Sequence, residues 1–273
     1  MRKLKGVIYD WAGTLCDRGS LSPVLSFIDA FQRVHINITM KEARTFMGLN
    51  KKEHIIKILE LPSVKIQCKD NTIHNPDHIY YNYKIIQKDT LVTTAIDGAI
   101  FATNIVRRLG LKNGVTTGYT KDLSDIVLNS ITKQNVIIDN VVASDEVKYG
   151  RPHPYMIFKC LENMNIMRPS SIVKIGDTIS DMEEGINAGC WTIGVSKWSN
   201  ETNYESYQDI EDATENEIVK RSEHAKSVLY DAGADFVIDD LTKINTILTK
   251  IDNLMCDSID PITYRYLIKK MKL

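Results

Sequence analysis

From Asp97 onward, short apolar runs alternate with helix-patterned segments, and this alternation narrows the fold more than any other feature. "KNGVTTGY", "DNVVAS", "SSIVKIGDT", "CWTIGVS" and "GADFVIDDL" read as strands. "AIFATNIVRRLG" precedes them as a helix, "LSDIVLNSITKQ", "PYMIFKCLENM" and "DMEEGINAG" fall between them, and a last amphipathic helix follows. Short apolar runs separated by helices belong in a parallel sheet covered on both faces. A further strand, "KGVIYDW", stands at the N-terminus. The expected class is therefore α/β: a Rossmann-like parallel sheet core with helices on both faces and an inserted helical cap domain. Residues 1–19 and 98–256 would form the core, 20–97 the cap, and 257–273 a C-terminal extension.

Inside the insert, "SLSPVLSFIDAFQRV" reads as a helix with Ser22 as N-cap and Pro23 at the first helical position. "TMKEARTFMG" places Thr39 and Glu42 at capping-box spacing, with Gly48 as its stop. "KKEHIIKILEL" gives a third helix ending before Pro62. The stretch 63–89 is polar and aromatic, with one further helix expected around "PDHIYYNYKIIQ".

A net charge of −1 over 273 residues gives no global attraction to nucleic acid or anionic membrane. The apolar run in "MRKLKGVIYDW" is too short for a signal peptide or a span, and no other stretch approaches the roughly 18 apolar residues a spanning helix needs. The five cysteines are scattered and form no C-x-x-C pair, which suits a reducing, cytoplasmic setting.

In a parallel sheet, ligands sit beyond the carboxyl ends of the strands. Four such ends carry polar groups: Asp10 after the first strand, Thr117, Gly118 and Tyr119 in "TTGYT", Arg151 in "EVKYGRPHP", and Asp177 with Asp181 in "GDTISD". Alone, each is ordinary turn or cap chemistry; together they place three carboxylates, a hydroxyl and a guanidinium at one edge. Carboxylates packed this closely repel, and a hard divalent cation, Mg²⁺ by default, compensates them. Asp10 then reads as a nucleophile forming an aspartyl-phosphate. Thr117, the Gly118 N–H and Arg151 read as donors to phosphoryl oxygens.

At these residues the chain resembles the haloacid dehalogenase superfamily, whose four motifs match Asp10, Thr117, Arg151 (usually a lysine) and Asp177 with Asp181. "DWAGT", "ARTFMGLNKKEH", "TTGYT", "GRPHPYMIFK", "VKIGDTISDMEEGINAGCWTIGV" and "GADFVIDDL" resemble its phosphonatase branch, from about Leu4 to Leu241. The resemblance implies hydrolysis of the P–C bond of phosphonoacetaldehyde to acetaldehyde and phosphate, with Lys51 condensing with the aldehyde as a Schiff base. It implies Mg²⁺ held by Asp10, the Ala12 carbonyl and Asp177 with Asp181 in support. His54 would be a proton shuttle, and Met47 and Tyr119 would line the pocket. It also implies a homodimer through cap helices, with the segment Ser22–Val34 as the candidate surface. Read without the resemblance, Lys51 and Lys52 are solvated charges at a helix start, His54 is a surface or core histidine, and Trp11 and Tyr119 are packing residues. Asn50, Lys52, Ser20 and Leu15 depart from the family pattern.

Two other functions compete. A phosphate-ester phosphatase or phosphomutase of the same superfamily would need an acid two residues after Asp10 to protonate an alkoxide, and position 12 is alanine. A phosphate-ligand sensor would be expected to lose Asp10 or Asp177, and both are present. The tail from Asp257, ending "YRYLIKKMKL", reads as a docking helix or a loose end.

Overall fold

The computed structural model describes residues 3–68 and 75–271. The centre of the polar stretch 63–89 and the last two residues of the tail therefore lie outside the described residues. Strand β1 (Gly6–Tyr9) opens the chain, followed by helices α1 (Leu21–Gln32), α2 (Met40–Arg44), α3 (Lys51–Leu59), α4 (Pro62–Gln67) and α5 (Pro76–Thr90). Then come α6 (Ala99–Arg108), β2 (Lys112–Thr117), α7 (Lys121–Lys133), β3 (Asn140–Ala143), α8 (Tyr155–Asn163), β4 (Ile172–Gly176), α9 (Ile179–Ala188) and β5 (Trp191–Val195). Helices α10 (Tyr207–Glu211) and α11 (Glu215–Asp231), strand β6 (Phe236–Ile238), α12 (Ile244–Cys256) and α13 (Pro261–Met271) complete it.

All five strand pairings are parallel, in the order β3-β2-β1-β4-β5-β6. The chain runs outward from β1 to β3, then returns to the other side of β1 and runs outward again. That reversal leaves a crevice at the carboxyl ends of β2, β1 and β4, the usual ligand position in such sheets. Val7, Tyr9, Val173 and Ile193 share a buried cluster with Val106 of α6, Val127 of α7 and Leu248 of α12. Ile8, Val142 and Ile172 pack instead with Met156, Ile157 and Cys160 of α8. The alternation of β1 side chains between these two clusters is the period-two pattern of a strand buried on both faces.

Helices α1 to α5 form a separate apolar cluster, in which Phe27, Phe31, Ile55, Ile58, Ile79 and Tyr83 are fully buried. The capping box at Thr39 is made in both directions: Glu42 N donates to Thr39 Oγ1 at 3.2 Å and Thr39 N to Glu42 Oε2 at 2.7 Å. Helix α2 stops at Arg44, earlier than Gly48, whose positive φ (+89°) belongs to the turn that follows. The N-cap expected at Ser22 is corrected. The chain passes through left-handed conformations at Asp17, Gly19 and Ser20, α1 begins at Leu21, and the Asp17 carboxylate accepts from Ser22 N at 3.2 Å. Ser22 Oγ is engaged elsewhere, donating to the Thr90 carbonyl at 2.9 Å. Pro23 is tolerated in this first turn because the N–H it lacks would have had no intrahelical acceptor.

Two regions escaped the periodicity. Pro62 starts α4 as well as stopping α3. Helix α11 lies between β5 and β6, yet only Ser222, Ala225 and Leu229 of it are buried, a stripe too narrow and too small to stand out. The tail docks as α13. Tyr264 stacks on Phe236 at 5.3 Å, and Arg265 makes bonds of 2.8 and 2.6 Å to the two Asp235 carboxylate oxygens. Among the described residues, no helix is long and apolar enough to cross a membrane.

Candidate active site

Three adjacent strands deliver the central residues. Asp10 follows β1, Thr117 ends β2, and Asp177 follows β4. Asp181 is added by the first turn of α9, where Thr178 and Asp181 cap each other; Thr178 Oγ1 donates to Asp181 Oδ2 at 2.6 Å. Carboxylate oxygens of Asp10, Asp177 and Asp181 lie within 4.8 Å of one another, and all three residues are buried. Glycines allow this crowding. A side chain at Gly13, where φ is +71°, would begin 2.0 Å from Asp177 Oδ2. One at Gly118 would begin 2.6 Å from the Leu49 carbonyl, so the turn before α3 can rest on the β2 loop only if that residue is glycine.

A buried ion network lies beneath the carboxylates. Arg151 is fully buried and reaches Asp10 at 3.1 Å, Asp181 at 3.0 Å and Glu184 at 3.0 Å. Lys174, also fully buried, lies 2.9 Å from Asp181 and 3.3 Å from Glu184. Burial would raise the Asp181 carboxyl, but Arg151 and Lys174 outweigh it and hold its pKa below the usual value. Asp10 goes the other way: burial raises it more than Arg151 lowers it. Asp177 is raised furthest, by burial and then by the charges of Asp181 and Asp10. Four buried carboxylates thus share two buried cations. An all-oxygen set with this excess of negative charge fits a hard divalent cation, which would favour the ionised forms of Asp10 and Asp177 against their burial.

Above this floor is a closed cavity with only about 10 Å³ of free volume, room for about one water. Asp10, Ala12, Ser20, Met47, Gly48, Lys51, Thr117, Gly118, Tyr119 and Thr178 are among its walls. The helical block is therefore seated directly on the sheet edge. Asn50 explains itself in this setting: it is the N-cap of α3, with Oδ1 accepting from Lys52 N at 3.0 Å, and its Nδ2 donates to Ser144 Oγ at 3.1 Å. The cap thus starts its helix one residue before Lys51 and ties that start to the β3 end. Lys52 points away and pairs with Asp77 on α5 at 2.6 Å.

Lys51 is 4% exposed, so the solvated-charge reading does not hold. Its Nζ lies 3.8 Å from Met47 Sδ and over the Phe27 and Tyr119 rings at 5.5 and 5.4 Å, with no carboxylate at ion-pair distance among the described residues. Burial draws its pKa from the ordinary lysine value down to about 8, with Asp10 opposing and Arg151 assisting. Below that value the ammonium form dominates and is not nucleophilic. Covalent capture of an aldehyde by Lys51 should therefore rise with pH through a midpoint near 8. A series of reductive-trapping rates from pH 6 to 10 checks this, and a midpoint near an ordinary lysine would oppose it.

His54 is one turn beyond Lys51 but does not line the cavity. It is fully buried against Phe27 at 4.1 Å and Phe46 at 6.0 Å, and neither ring nitrogen has a partner at hydrogen-bond geometry. Burial and then the Lys51 charge push its pKa well down, against an upward pull from the Ala43 backbone, so the ring is neutral in this closed arrangement.

The sequence reading missed Lys174, Glu184 and the pair Ser20 and Asn200. Ser20 Oγ and Asn200 N donate to Asp177 Oδ2 at 3.1 and 2.8 Å. Lys174 left a signal, a lysine inside the otherwise apolar "IVKIG", and Glu184 follows Asp181 at helical spacing. Asn200 left none, because its backbone makes the contact.

A model of the haloacid dehalogenase-like hydrolase family matches residues 7–195, and a second HAD-hydrolase-like model matches 148–244. A phosphonoacetaldehyde hydrolase of Parabacteroides distasonis is 36% identical over 93% of this chain and 98% of its own length. The chain belongs to the phosphonoacetaldehyde hydrolase family of haloacid dehalogenase-like hydrolases. A bifunctional phosphonoacetaldehyde hydrolase/aminoethylphosphonate transaminase of Clostridioides difficile is also 36% identical to this hydrolase, which spans 40% of that longer protein. The crystal structure of a phosphonoacetaldehyde hydrolase-like protein from Oleispira antarctica superposes with a TM-score of 0.89 at 29% identity, covering 95% of this chain and 96% of that one. The structure of a predicted phosphoglycolate phosphatase from Haemophilus somnus shares the hydrolase's fold at a TM-score of 0.69 and 15% identity, covering 90% and 99%.

Proposed function

We propose that this hydrolase cleaves the P–C bond of phosphonoacetaldehyde, releasing acetaldehyde and phosphate through a Lys51 Schiff base and an Asp10 aspartyl-phosphate. The observation that carries this reading is a buried amine of lowered pKa sharing one cavity with a nucleophile whose second neighbour is alanine. A phosphatase needs a proton donor at that neighbour because its leaving group is an alkoxide. A P–C bond instead needs an electron sink, and a protonated imine is one.

The neutral Lys51 amine adds to the aldehyde carbon, and water leaves with uptake of one proton from solvent, giving the protonated imine. An Asp10 oxygen then bonds to phosphorus as the P–C bond breaks, and the bonding pair moves into the imine to form an enamine. Thr117 Oγ1, the Gly118 N–H and the Arg151 guanidinium offer donors to the phosphoryl oxygens. Protonation of the enamine carbon and hydrolysis of the imine free acetaldehyde and Lys51. Water cleaves the aspartyl-phosphate. We assign the Mg²⁺ site to Asp10, the Ala12 carbonyl and Asp177, with Asp181 in support; the ion, when bound, neutralises phosphoryl and carboxylate charge. His54 is assigned proton transfer at Lys51, which requires the block to open enough to bring solvent to its ring. Met47 and Tyr119 border the aldehyde end. Residues 20–97 act in this reading as a cap that must lift, because the closed cavity is too small for the substrate.

The reading includes a cytoplasmic setting and a homodimer through the cap. On α1 the side chains left for such an interface are exposed Asp29 and Gln32 with half-buried Leu25 and Ile28. Incubation with phosphonoacetaldehyde should yield acetaldehyde and phosphate in equal amounts, with the rate abolished by EDTA and restored by Mg²⁺. Hydrolysis of phosphate esters with phosphonoacetaldehyde left intact would instead establish the phosphatase alternative.

A further inference from the structure

Arg44, the last residue of α2, is only 5% exposed, and its guanidinium reaches out of the helical block. Nη1 donates to the Gly19 carbonyl and to Asn200 Oδ1, both at 2.9 Å, and to the Asn200 carbonyl at 3.1 Å; Nη2 donates to the Tyr204 carbonyl at 2.5 Å. No carboxylate lies at ion-pair distance from it among the described residues. Burial lowers its pKa to about 10 against the charges of Glu201, Asp17 and Asp177, while neutral oxygens supply its hydrogen bonds. A buried charge is ordinarily paired, and tethering α2 to two loops would not by itself call for an arginine.

The acceptors have a common destination. Gly19 lies in the linker between β1 and α1, and its neighbour Ser20 donates to Asp177 Oδ2 at 3.1 Å. Asn200 lies in the loop after β5, and its N–H donates to the same oxygen at 2.8 Å. Ser199 Oγ donates to the Asp177 carbonyl at 2.6 Å. One side chain from the helical block therefore grips two of the segments that orient one buried carboxylate; Thr14 Oγ1, in the turn after β1, holds the other oxygen at 3.2 Å. Asn200 is bound on both sides, by Arg44 at its carbonyl and side chain and by Asp177 at its N–H.

We propose that Arg44 is a positioning residue that couples seating of the helical block to the setting of Asp177, so that the metal-binding carboxylates are fully arranged only when the block is closed. This rests on the assignment of Asp177 as a metal ligand. When the block lifts, the guanidinium regains water, and the 17–20 linker and the 198–204 loop lose one of the clamps between them. Asp177 then rests on two segments held to each other by fewer bonds, the Gly19 N–H to the Trp198 carbonyl at 2.9 Å among them. Coupling of this kind is reciprocal: closure tightens cation binding, and the cation favours closure by the same factor.

The test compares full-length wild type, Arg44→Met and Arg44→Lys. Mg²⁺ affinity is measured by titration calorimetry without substrate, and borohydride trapping of phosphonoacetaldehyde on Lys51 is measured alongside. Arg44→Met should bind Mg²⁺ about tenfold more weakly, the lower end of what loss of an outer support costs a metal site. Arg44→Lys, which keeps the charge and part of the bonding, should fall between the two. A folded Arg44→Met with Mg²⁺ affinity within twofold of wild type overturns the proposal, even if its melting temperature has dropped. If Arg44→Met does not fold, Asn200→Ala removes one acceptor while keeping the N–H to Asp177; weakened Mg²⁺ binding there supports the coupling and unchanged binding overturns it. Wild type that binds no Mg²⁺ overturns the metal assignment and this coupling together. Trapping on Lys51 alongside unchanged Mg²⁺ affinity in Arg44→Met overturns the coupling alone and leaves P–C cleavage standing.

Discussion

Lys51→Arg is expected to lose P–C cleavage by at least about 10³-fold, a barrier increase of about 4 kcal/mol at 1.36 kcal/mol per decade. A guanidinium remains protonated at any working pH and cannot form an imine, so no electron sink exists for the departing carbon. The larger head group must also fit a site where Nζ already lies 3.8 Å from Met47 Sδ and over the Phe27 and Tyr119 rings, so some repacking is expected. The fold should survive, because α3 keeps its Asn50 cap and its buried Ile55 and Ile58. Steady-state release of acetaldehyde, read with circular dichroism, checks both halves. Turnover within tenfold of wild type would remove Lys51 from the chemistry.

Asp10→Asn is expected to lose a comparable factor for a different reason, and the difference is measurable. Without the carboxylate there is no oxygen nucleophile of adequate strength for phosphorus, yet the imine on Lys51 needs no such nucleophile. The variant should therefore still be trapped by borohydride while releasing no phosphate. The direction of its pH dependence follows from the charges. Asp10 raises the Lys51 pKa, so its removal leaves burial and Arg151 less opposed and moves the trapping midpoint below about 8. A midpoint that rises would contradict the electrostatic account of the pocket, and phosphate release at the wild-type rate would contradict the nucleophile.

Much of this architecture was legible because it depends on pattern. A strand buried on both faces is largely apolar, so β1, β4 and β5 stand out, and a polar residue directly after such a run marks the sheet edge. Asp10, Thr117, Arg151, Asp177 and Asp181 meet there in the structure. Departures from pattern were harder. Lys174 is hidden in an apolar strand because its charge is matched by Asp181 and Glu184 arriving from α9. Helix α11 shows only a thin stripe of small residues to the core. The start of α1 is set by three left-handed residues and the Asp17 carboxylate, whereas Ser-Pro spacing pointed to Ser22. Arg44 looks like any surface arginine of a short helix, since its partners at Asn200 and Tyr204 are more than 150 positions away. Contacts that join distant loops leave no local periodicity, and they are the contacts that seat the helical block on the sheet.

The central claim is that one buried lysine becomes covalently attached to the substrate before the P–C bond breaks. Borohydride reduction during turnover, followed by peptide mass mapping, tests it most directly. The account predicts a single modified residue, Lys51, carrying a two-carbon adduct, with the neighbouring Lys52 unmodified because it is engaged with Asp77 outside the cavity. Acetaldehyde and phosphate produced at full rate with no adduct on Lys51 would contradict it.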